Sequence, residues 1–453
     1  MGLSRVFDIA QKSLATYQSA IDVTSNNIAN SSNPDYSRQQ VILSTSPSQQ
    51  QGNFIWGTGV QIAQIQRVRD QLTEEQIRAT NSKYSDNSTR NDILNQVQTL
   101  FSEPSDVGLS SISSAFFNSW EQLSVTPNST ALRNNVIQAA QNLSEKIQTI
   151  NKGFDTVKTN IYDQINSNVT TINADIKQIQ SLNTQIFKAQ STGLQPNDLL
   201  DNRDKVIADL SKLVNINVSY DSSNSAVVSI GGAFVADRGS YTQLKVTSSG
   251  GKLQLTTADG SVTANLSGGS TNAMMDLYNN KIPGYQSSLD SYVNNLMTSV
   301  NAEHSQGYTI SNPSQTNINF FDSYTNGVLT INSQVLNDPQ KIAVSKDGTS
   351  GNGDIALNIS GLLTTAGSGG TSLQDQYNTL IANVGNDTKA ASDTANSYNL
   401  VLQQLNQQKD SNSGVSVDEE MMNVIKYQRS YDASAKIVKM ADDMLQTLLN
   451  MVG

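Results

Sequence analysis

The sequence predicts a multidomain, mainly α-helical protein with β insertions, in which terminal helices form an α-helical coiled coil beside an elongated helical bundle and an outer antiparallel β domain. Three patterns indicate this fold class. Apolar residues recur every three or four positions at both ends of the chain, the same spacing continues through residues 132–186, and alternation replaces it after residue 213. At 453 residues the chain is also too long for one small hydrophobic core.

Composition narrows the classes of function. The net charge is −10 and no basic patch is interleaved with aromatic residues, which argues against nucleic acid as a partner. Cysteine is absent and His304 is the single histidine, so neither a disulfide nor a thiolate or multi-histidine metal site is expected. No apolar stretch approaches the roughly 18 residues of a membrane span, and the first residues lack the apolar core of a secretory signal peptide. We therefore expect no cofactor, no metal, no catalytic residue and no membrane partner.

A first helix is predicted from the N-terminus to near Ile28, because Pro34 and the polar residues before it break the helical pattern. Its apolar residues keep an alternating step of three and four over four heptads, which is typical of a helix that pairs with another helix. This predicted seam consists of Leu3, Phe7, Ala10, Leu14, Tyr17, Ile21, Thr24 and Ile28.

A helix of similar length is predicted at the other end of the chain. Ser416 opens a capping box, in which its hydroxyl accepts from the backbone NH of Glu419 and the Glu419 carboxylate reaches back to the Ser416 NH. Glu419 and Glu420 are interpreted as the negative first turn that the helix dipole favours. The predicted seam consists of Met421, Val424, Gln428, Tyr431, Ala435, Val438, Asp442, Leu445, Leu449 and Val452, and a second stripe consists of Ile437, Ala441, Met444, Leu448 and Met451. Because an apolar face this wide must be shielded from water, we expect the terminal helices to pack on each other or on copies of themselves.

Helical spacing also dominates residues 68–213. The longest run of it covers about sixty residues and predicts a rod of roughly 90 Å, provided that Gly153 does not break the helix. An apolar stripe this long needs neighbouring helices, so we interpret the region as an elongated helical bundle.

The β-rich regions follow. Alternating residues after 213, with glycine pairs at 231–232 and 250–251 in place for two-residue turns, predict an antiparallel β unit. Residues 309–359 form a second glycine-punctuated segment, and the glycines at 367–370 predict a flexible joint before a returning helix. The predicted domains are a terminal coiled-coil domain (1–50 plus 412–453), a helical-bundle domain (51–213 plus 270–305 and 370–411) and an outer β-rich domain (214–269 plus 306–369).

Two features were considered for chemistry. Asp201 and Asp204 lie three positions apart on a predicted helix and could share a face, as acid–base catalysis requires, but no cleft signature accompanies them. We prefer Asp198 as an N-cap followed by a solvated network with Arg203. His304 is interpreted as a helix-end histidine that donates to a backbone carbonyl.

Four segments carry a family resemblance. Residues 26–39 read NNIANSSNPDYSRQ and residues 415–452 read VSVDEEMMNVIKYQRSYDASAKIVKMADDMLQTLLNMV. Together they resemble the terminal signatures of the bacterial flagellar axial proteins, which are the rod, hook and hook-associated proteins. LLDNRDKVIADLSKLVNINV at 199–218 and KIPGYQSSLDSYVNNLMTSVNAEHSQGYTI at 281–310 resemble the hook-associated members at the hook–filament junction. The resemblance spans nearly the whole chain and is loosest across the β-rich segments.

The resemblance implies a structural subunit, not an enzyme, that leaves the cell unfolded through the flagellar type III export channel and joins hook to filament. The implied partners are copies of itself in a ring or helix, the flagellar hook protein, the next hook-associated junction protein toward the filament, and an export chaperone. The family motif maps to Asn26, Asn27, Ile28, Ala29, Asn30, Pro34, Tyr36 and Arg38. The implied assembly interface consists of Leu3, Phe7, Leu14, Tyr17, Ile21, Ile28, Met421, Val424, Tyr431, Val438, Leu445 and Leu449. The hypothetical chaperone site consists of Val424, Ile437, Met444 and Leu448.

The sequence leaves other functions open for this chain. The chain could be the flagellar hook protein or another rod or hook subunit, although the long helical run and the two internal motifs argue against the hook protein. A secreted coiled-coil adhesin has no need for its two ends to meet. We also expect the terminal helices to be disordered in the free monomer and to fold on assembly, because a lone helix pair buries little surface.

Overall fold

The computed structural model describes residues 2–367 and 370–452, so residues 368 and 369 of the predicted flexible joint lie outside the described part. The helices, in chain order, are α1 (Gly2–Ala29), α2 (Gln71–Phe101), α3 (Leu109–Val125), α4 (Thr130–Ser191), α5 (Asn197–Leu213), α6 (Ser270–Asp276), α7 (Ile282–His304), α8 (Ser333–Asn337), α9 (Asp354–Gly361), α10 (Leu373–Ser413) and α11 (Val417–Val452). The strands are β1 (Gln39–Thr45), β2 (Gln49–Gln51), β3 (Phe54–Trp56), β4 (Val60–Arg67), β5 (Ile216–Tyr220), β6 (Ala226–Ile230), β7 (Ala233–Ala236), β8 (Leu244–Ser249), β9 (Lys252–Thr257), β10 (Tyr308–Thr309), β11 (Phe321–Thr325), β12 (Val328–Ile331) and β13 (Ala343–Ser345).

Helix α4 is the axis of the molecule. It is 62 residues long, so at 1.5 Å per residue it spans roughly 90 Å. The hydroxyl of Ser129 caps its first turn by accepting from the Leu132 NH. Gly153 lies within the unbroken helix. A side chain at this position would collide with Leu100 of α2, which packs directly against it. The prediction of one continuous helix is therefore confirmed.

The apolar stripe of α4 is covered within the chain. Side chains such as Ile150, Phe154 and Ile176 are completely buried. Helices α2, α3 and α5 pack along it, and the edges of the β units, including β8 and β12, contact it as well. One continuous hydrophobic core therefore joins the helices to the sheets.

The first β segment is antiparallel, as its alternation predicts. Strands β5, β6 and β7 form a three-stranded sheet, and β8 pairs with β9. The glycine pairs at 231–232 and 250–251 form both hairpin turns, and all four residues have positive φ, which glycine adopts without strain.

The second β-rich segment differs from its prediction. Residues 306–367 contain only two-stranded ladders, β10–β13 and β11–β12, and also the short helices α8 and α9. Its apolar residues, such as Phe320 and Ile355, belong to the same core as the helices. Alternation is too short here to separate strands from helical turns, so the sequence overstated the β content.

Helix α1 packs on a small sheet before the bundle begins. Strand β1 pairs with β4, and the Thr16 hydroxyl donates to the Val60 carbonyl at 3.2 Å. The hairpin of β2 and β3 projects from the loop between β1 and β4. The helix ends where the sequence predicts, and the predicted turn at Pro34 forms, with the Tyr36 NH donating to the Asn33 carbonyl at 3.2 Å.

Candidate functional site

The terminal helices α1 and α11 lie antiparallel and in contact. The Tyr17 and Tyr427 rings stack with centroids 6.4 Å apart, midway along the pair. Asn27, near the end of α1, bonds to Glu420, at the start of α11. At the opposite end Leu3 lines a groove with Met444. The two ends of the chain thus meet at one pole of the molecule.

The face of α11 that turns toward α1 repeats every seven residues. Its best-buried positions are Glu420, Ser434 and Ala441. Tyr427, at the remaining position of this repeat, is half-buried under Tyr17. Half of the predicted seam is therefore shifted by one residue. Glu420 and Ser434 are polar, so a hydrophobic pattern could not detect them, whereas Ala441 belongs to the predicted second stripe.

The predicted interface residues of α11 consequently fall into two groups. Val424, Tyr431 and Val438 are half-buried between the repeat positions, as the seam requires. Met421 and Leu445 are exposed, at 53% and 43%. The exposed members of the predicted sets are Met421, Gln428, Ala435, Ile437, Asp442, Met444, Leu445, Leu448, Leu449 and Met451.

On α1 the predicted seam is mostly half-buried. Ala10 and Thr24 are buried, and Phe7 is exposed. The half-buried members are Leu3, Leu14, Tyr17, Ile21 and Ile28. A single copy of the chain therefore covers this helix only in part.

A polar cluster fixes the junction of the two helices, and we call Asn27, Tyr36, Arg38, Glu419 and Glu420 the terminal polar cluster. The Asn27 amide NH₂ donates to the Gln39 carbonyl at 2.8 Å and to Glu420 Oε2 at 2.9 Å. Its amide oxygen accepts from the Tyr36 hydroxyl at 2.8 Å and from the Gln39 NH at 2.9 Å. All hydrogen-bonding capacity of one buried asparagine is thereby used to join helix, loop and strand.

Arg38 completes this cluster from the loop side. Its Nε donates to Glu420 Oε1 at 2.8 Å and its Nη1 lies 3.1 Å from Glu419 Oε2. Glu420 is only 2% exposed, and each of its carboxylate oxygens accepts a hydrogen bond. The Arg38 NH also donates to the Ser413 carbonyl at 3.1 Å, which ties the end of α10 to the same point.

The predicted capping box is only half correct. The Glu419 NH lies 3.5 Å from the Ser416 hydroxyl, but the Glu419 carboxylate contacts Arg38 instead of reaching back to Ser416. The first acidic turn therefore serves a tertiary contact in addition to the helix dipole. The opposite charges of the two terminal signatures could have suggested this contact, because the helices carrying them were expected to pair.

The remaining motif residues shape the loop. The Asn30 side chain donates back to the Asn26 carbonyl at 3.0 Å, which ends the helix, and the Lys409 ammonium donates to the Pro34 carbonyl at 3.1 Å. Asn26, Ala29 and Pro34 are exposed. Burial, with the charges of Asp198, Asp201 and Glu420, raises the pKa of Tyr36 to about 12, so its hydroxyl stays a donor to Asn27.

The acidic residues of α5 form a second network, which attaches the bundle to the same loop. Asp201 accepts from the Ser37 hydroxyl at 2.8 Å and from Arg67 Nη1 at 2.7 Å. Asp204 accepts from Arg67 at 2.9 Å and also pairs with Arg69. The cations come from β4 and the loop after it, so the sequence spacing on α5 could not reveal them.

This second network corrects two expectations. Asp198 is not the N-cap of α5, because Pro196 occupies that position and Asp198 lies exposed in the first turn. Asp201 and Arg203 are buried rather than solvated. Burial lowers the pKa of Arg203 to about 10, and its Nη1 donates to the Asn224 carbonyl at 2.6 Å.

His304 is a buried structural residue. Its Nδ1 lies 2.7 Å from the Ile318 carbonyl oxygen, and its Nε2 accepts from the Ala343 NH at 2.9 Å. Burial lowers its pKa to about 4, so the ring is neutral at neutral pH. The expected bond to a backbone carbonyl is present, and a second backbone contact joins it.

The described residues contain neither a cluster suited to a metal ion nor a helix suited to a membrane. Within 2–367 and 370–452, no group of three or more His, Cys, Asp or Glu side chains is placed to hold a metal ion. Over the same part of the chain, no helix combines the length and the hydropathy needed to cross a membrane.

Comparison with known proteins agrees with this architecture. The family model "Flagellar hook-associated protein FlgK helical domain" matches residues 94–321, and "Flagellar basal body rod FlgEFG protein C-terminal" matches residues 406–451. A flagellar hook-associated protein 1 from Bacillus subtilis is 26% identical, covering 98% of both chains. The protein of the same name from Salmonella typhimurium is 23% identical, covering 99% of this chain and 100% of its own.

A solved structure shares the fold. The flagellar hook junction protein FlgK from Burkholderia pseudomallei superposes with a TM-score of 0.65 at 14% identity, covering 74% of this chain and 99% of that one. A mainly helical chain with joined ends and an uncovered apolar helix face has the architecture of a structural subunit. Since the helical-domain model covers half of its length, the chain belongs to the flagellar hook-associated protein family.

Proposed function

We propose that this chain is a structural subunit of the bacterial flagellum that joins hook to filament and assembles through its terminal helices. One observation carries this function. The terminal polar cluster holds α1 and α11 together, yet α11 leaves apolar side chains uncovered, with Leu449 72% and Met440 53% exposed. Soluble monomers rarely expose such a contiguous apolar face unless a partner covers it.

The domain arrangement supports the same function. The terminal domain, residues 1–50 and 412–453, forms a coiled coil lining the inner tube of the flagellum. The helical-bundle domain, residues 51–213, 270–305 and 370–411, contacts the hook on one side and the next hook-associated protein on the other. The β-rich domain, residues 214–269 and 306–369, faces outward. The antiparallel contact between α1 and α11 supports this order, because it brings the two ends of the chain together.

The proposed assembly interface combines two kinds of residue. Half-buried side chains such as Tyr17, Val424 and Tyr431 hold the helix pair together. Exposed ones such as Met421 and Leu449 contact neighbouring copies. The remaining members are Leu3, Phe7, Leu14, Ile21, Ile28, Val438 and Leu445.

Export precedes assembly in this proposal, with the chain secreted through the type III channel and bound beforehand by a chaperone. Ile437, Met444 and Leu448 are exposed in the structure and accessible to such a partner. Val424 is half-buried against α1, so a chaperone that contacts it must bind before the helices pair. Limited proteolysis of the free monomer tests whether both ends are unfolded before assembly, since removal of roughly the first fifty and last forty residues would show that they fold only on assembly. Protection of both ends would show that they pair before assembly.

Complementation of a strain lacking its own junction protein tests the function. The full chain should restore filaments and be found in isolated flagella, whereas Leu14→Asp and Leu445→Asp variants should be exported but not incorporated. Val125→Asp is the matched control, because Val125 is 81% exposed on the bundle and contributes to no terminal contact. Normal incorporation of both seam variants would show that the terminal helices are not the assembly interface.

A further inference from the structure

The β2–β3 hairpin carries an uncovered apolar tip. Phe54, Ile55 and Trp56 are consecutive strand residues with exposures of 68%, 76% and 43%. Because side chains alternate across a strand, both faces of this hairpin are open to solvent. Within the chain, the Arg5 guanidinium lies 4.4 Å from the centroid of the Trp56 ring. An exposed strand of this kind is an association site unless something covers it.

A groove of about 510 Å³ lies at the same pole of the molecule. Leu3 of α1 and Met440, Met444 and Leu448 of α11 supply its apolar lining, and Asp443 lies on its wall. Methionine side chains are flexible and adapt to bulky apolar guests. The groove therefore suits aromatic or branched apolar side chains.

The hairpin and the groove lie on different sides of α1. Arg5 contacts the hairpin and Thr16 contacts β4, whereas Leu3 faces the groove. Leu3 and Arg5 are two positions apart, which places them roughly 200° apart around an α-helix. One copy therefore presents its apolar tip on one side and its apolar groove on another, which is the arrangement of a head-to-tail contact between identical chains.

Charge and size both favour a second copy as the occupant. The hairpin carries no charge of its own, and Arg5 beside its tip complements Asp443 on the wall of the groove. Because Phe54, Ile55 and Trp56 are already partly covered, they can bury less than roughly 500 Å² more, below the roughly 800 Å² per partner of a stable isolated complex. Such a contact is weak between two free chains and becomes effective when it repeats around a ring.

We propose that the β2–β3 hairpin tip of one subunit inserts into the groove between α1 and α11 of the next subunit. This inference rests on the proposed function, since it names the neighbour and the surface through which the subunits associate. The contact adds a lateral, heterologous interface to the pairing of terminal helices within each chain.

The absence of cysteine allows a direct test with the full-length chain. Ile55→Cys and Met440→Cys single variants are mixed at high concentration and oxidised. Their heterodimer should exceed that of a control pair, Ile55→Cys with Val125→Cys, by roughly tenfold, which corresponds to about 1.4 kcal/mol of specific contact. Adding Phe54→Ser to the hairpin variant should reduce the yield to that of the control.

Equal yields for the two pairs would overturn the inference, as would a heterodimer yield that Phe54→Ser leaves unchanged. A predominant Ile55→Cys homodimer would indicate pairing between hairpins and would overturn it as well. Incorporation into flagella separates this inference from the proposed function. A chain that is incorporated but forms no cross-link between positions 55 and 440 disproves only the hairpin contact. A chain absent from flagella disproves the function, and the purified mixture still decides the contact.

Discussion

Helices α4 and α11 have similar amphipathic patterns but different surroundings. Both repeat apolar residues every three or four positions over more than thirty residues. In α4 the side chains of Ile150 and Phe154 are completely buried, whereas in α11 Leu449 and Met451 are largely exposed. The bundle and the β units of the same chain cover α4, whereas α1 is the helix that packs along α11 in the described part of the chain. The pattern thus shows that a face must be covered, and the tertiary structure shows whether the chain itself supplies the cover.

Truncation of one apolar side chain on each helix should give the largest difference between α4 and α11. Phe154→Ala should lower the free energy of unfolding by about 3–5 kcal/mol, because it leaves a cavity in a closed core. Leu449→Ala should change it by no more than about 0.5 kcal/mol. Urea unfolding followed by circular dichroism measures both. A comparable loss for Leu449→Ala would mean that α11 is already covered in the free chain.

The terminal polar cluster gives the next largest effect. Glu420→Ala leaves the Arg38 guanidinium and the Asn27 amide without their buried acceptor, so opening of the helix pair should become easier by about 2–3 kcal/mol. Amide hydrogen exchange in the first turns of α11 measures this. Glu419→Ala is the matched control, because its carboxylate is more than half exposed and its pair with Arg38 should contribute less than about 1 kcal/mol. Equal effects of the two variants would show that the buried Glu420 carboxylate stabilises the helix pair no more than the exposed Glu419 carboxylate does.

The buried histidine gives a pH-dependent effect away from the terminal helices, because it bonds to the backbone of Ile318 and Ala343. The pKa of His304 is about 4 in the folded chain against 6.5 for the free side chain, so below pH 6.5 the unfolded chain binds a proton that the folded chain does not. Its contribution to stability is complete above pH 6.5 and falls by about 2 kcal/mol at pH 5.

Comparison with His304→Asn isolates this contribution. The stability difference between the two proteins should shrink as the pH falls from 7 to 5, as read from urea midpoints. Burial raises the pKa of Asp175 to about 6, an effect of opposite sign, but it is present in both proteins and cancels. Parallel curves for the two proteins would show that His304 does not titrate as described.

The smallest effect concerns the stacked tyrosines. Tyr427→Leu keeps an apolar side chain but removes the stack on Tyr17, which should weaken the helix pair by about 1 kcal/mol. Tyr398→Leu on α10 is the control, because Tyr398 stacks on no other ring within the described residues. Hydrogen exchange near residue 427 is the measurement, and an unchanged exchange rate would show that the stack does not hold the pair together.

Much of the local structure followed from the sequence. The end of α1 before Pro34, the unbroken length of α4 and the two glycine-pair turns were all predicted, because each depends on backbone conformation or on a long apolar period. The resemblance of the terminal and internal motifs was sufficient to indicate the family. The second β-rich segment was the weakest prediction, since short apolar runs fit strands and helical turns equally well.

The candidate site was less predictable than the fold. The motif residues Asn27, Tyr36 and Arg38 were identified from the sequence. The sequence did not reveal that every donor and acceptor of the Asn27 side chain has a partner. Glu420 was interpreted as part of a negative first turn favoured by the helix dipole, but its burial in a tertiary contact was not predicted. Its partners lie almost four hundred positions away, and no local pattern reveals a contact of that range.

What the sequence determined by itself is therefore the set of elements and the need of both terminal helices for a partner, because helical period and turn chemistry act over a few residues. Only the tertiary structure decided which side of α11 faces α1. A shift of one residue turns a helix face by roughly 100°, and this choice was made by Glu420 and Tyr427 meeting Arg38, Asn27 and Tyr17. Such contacts depend on where the fold places distant residues, and they leave the apolar residues of α11 free for other copies of the chain.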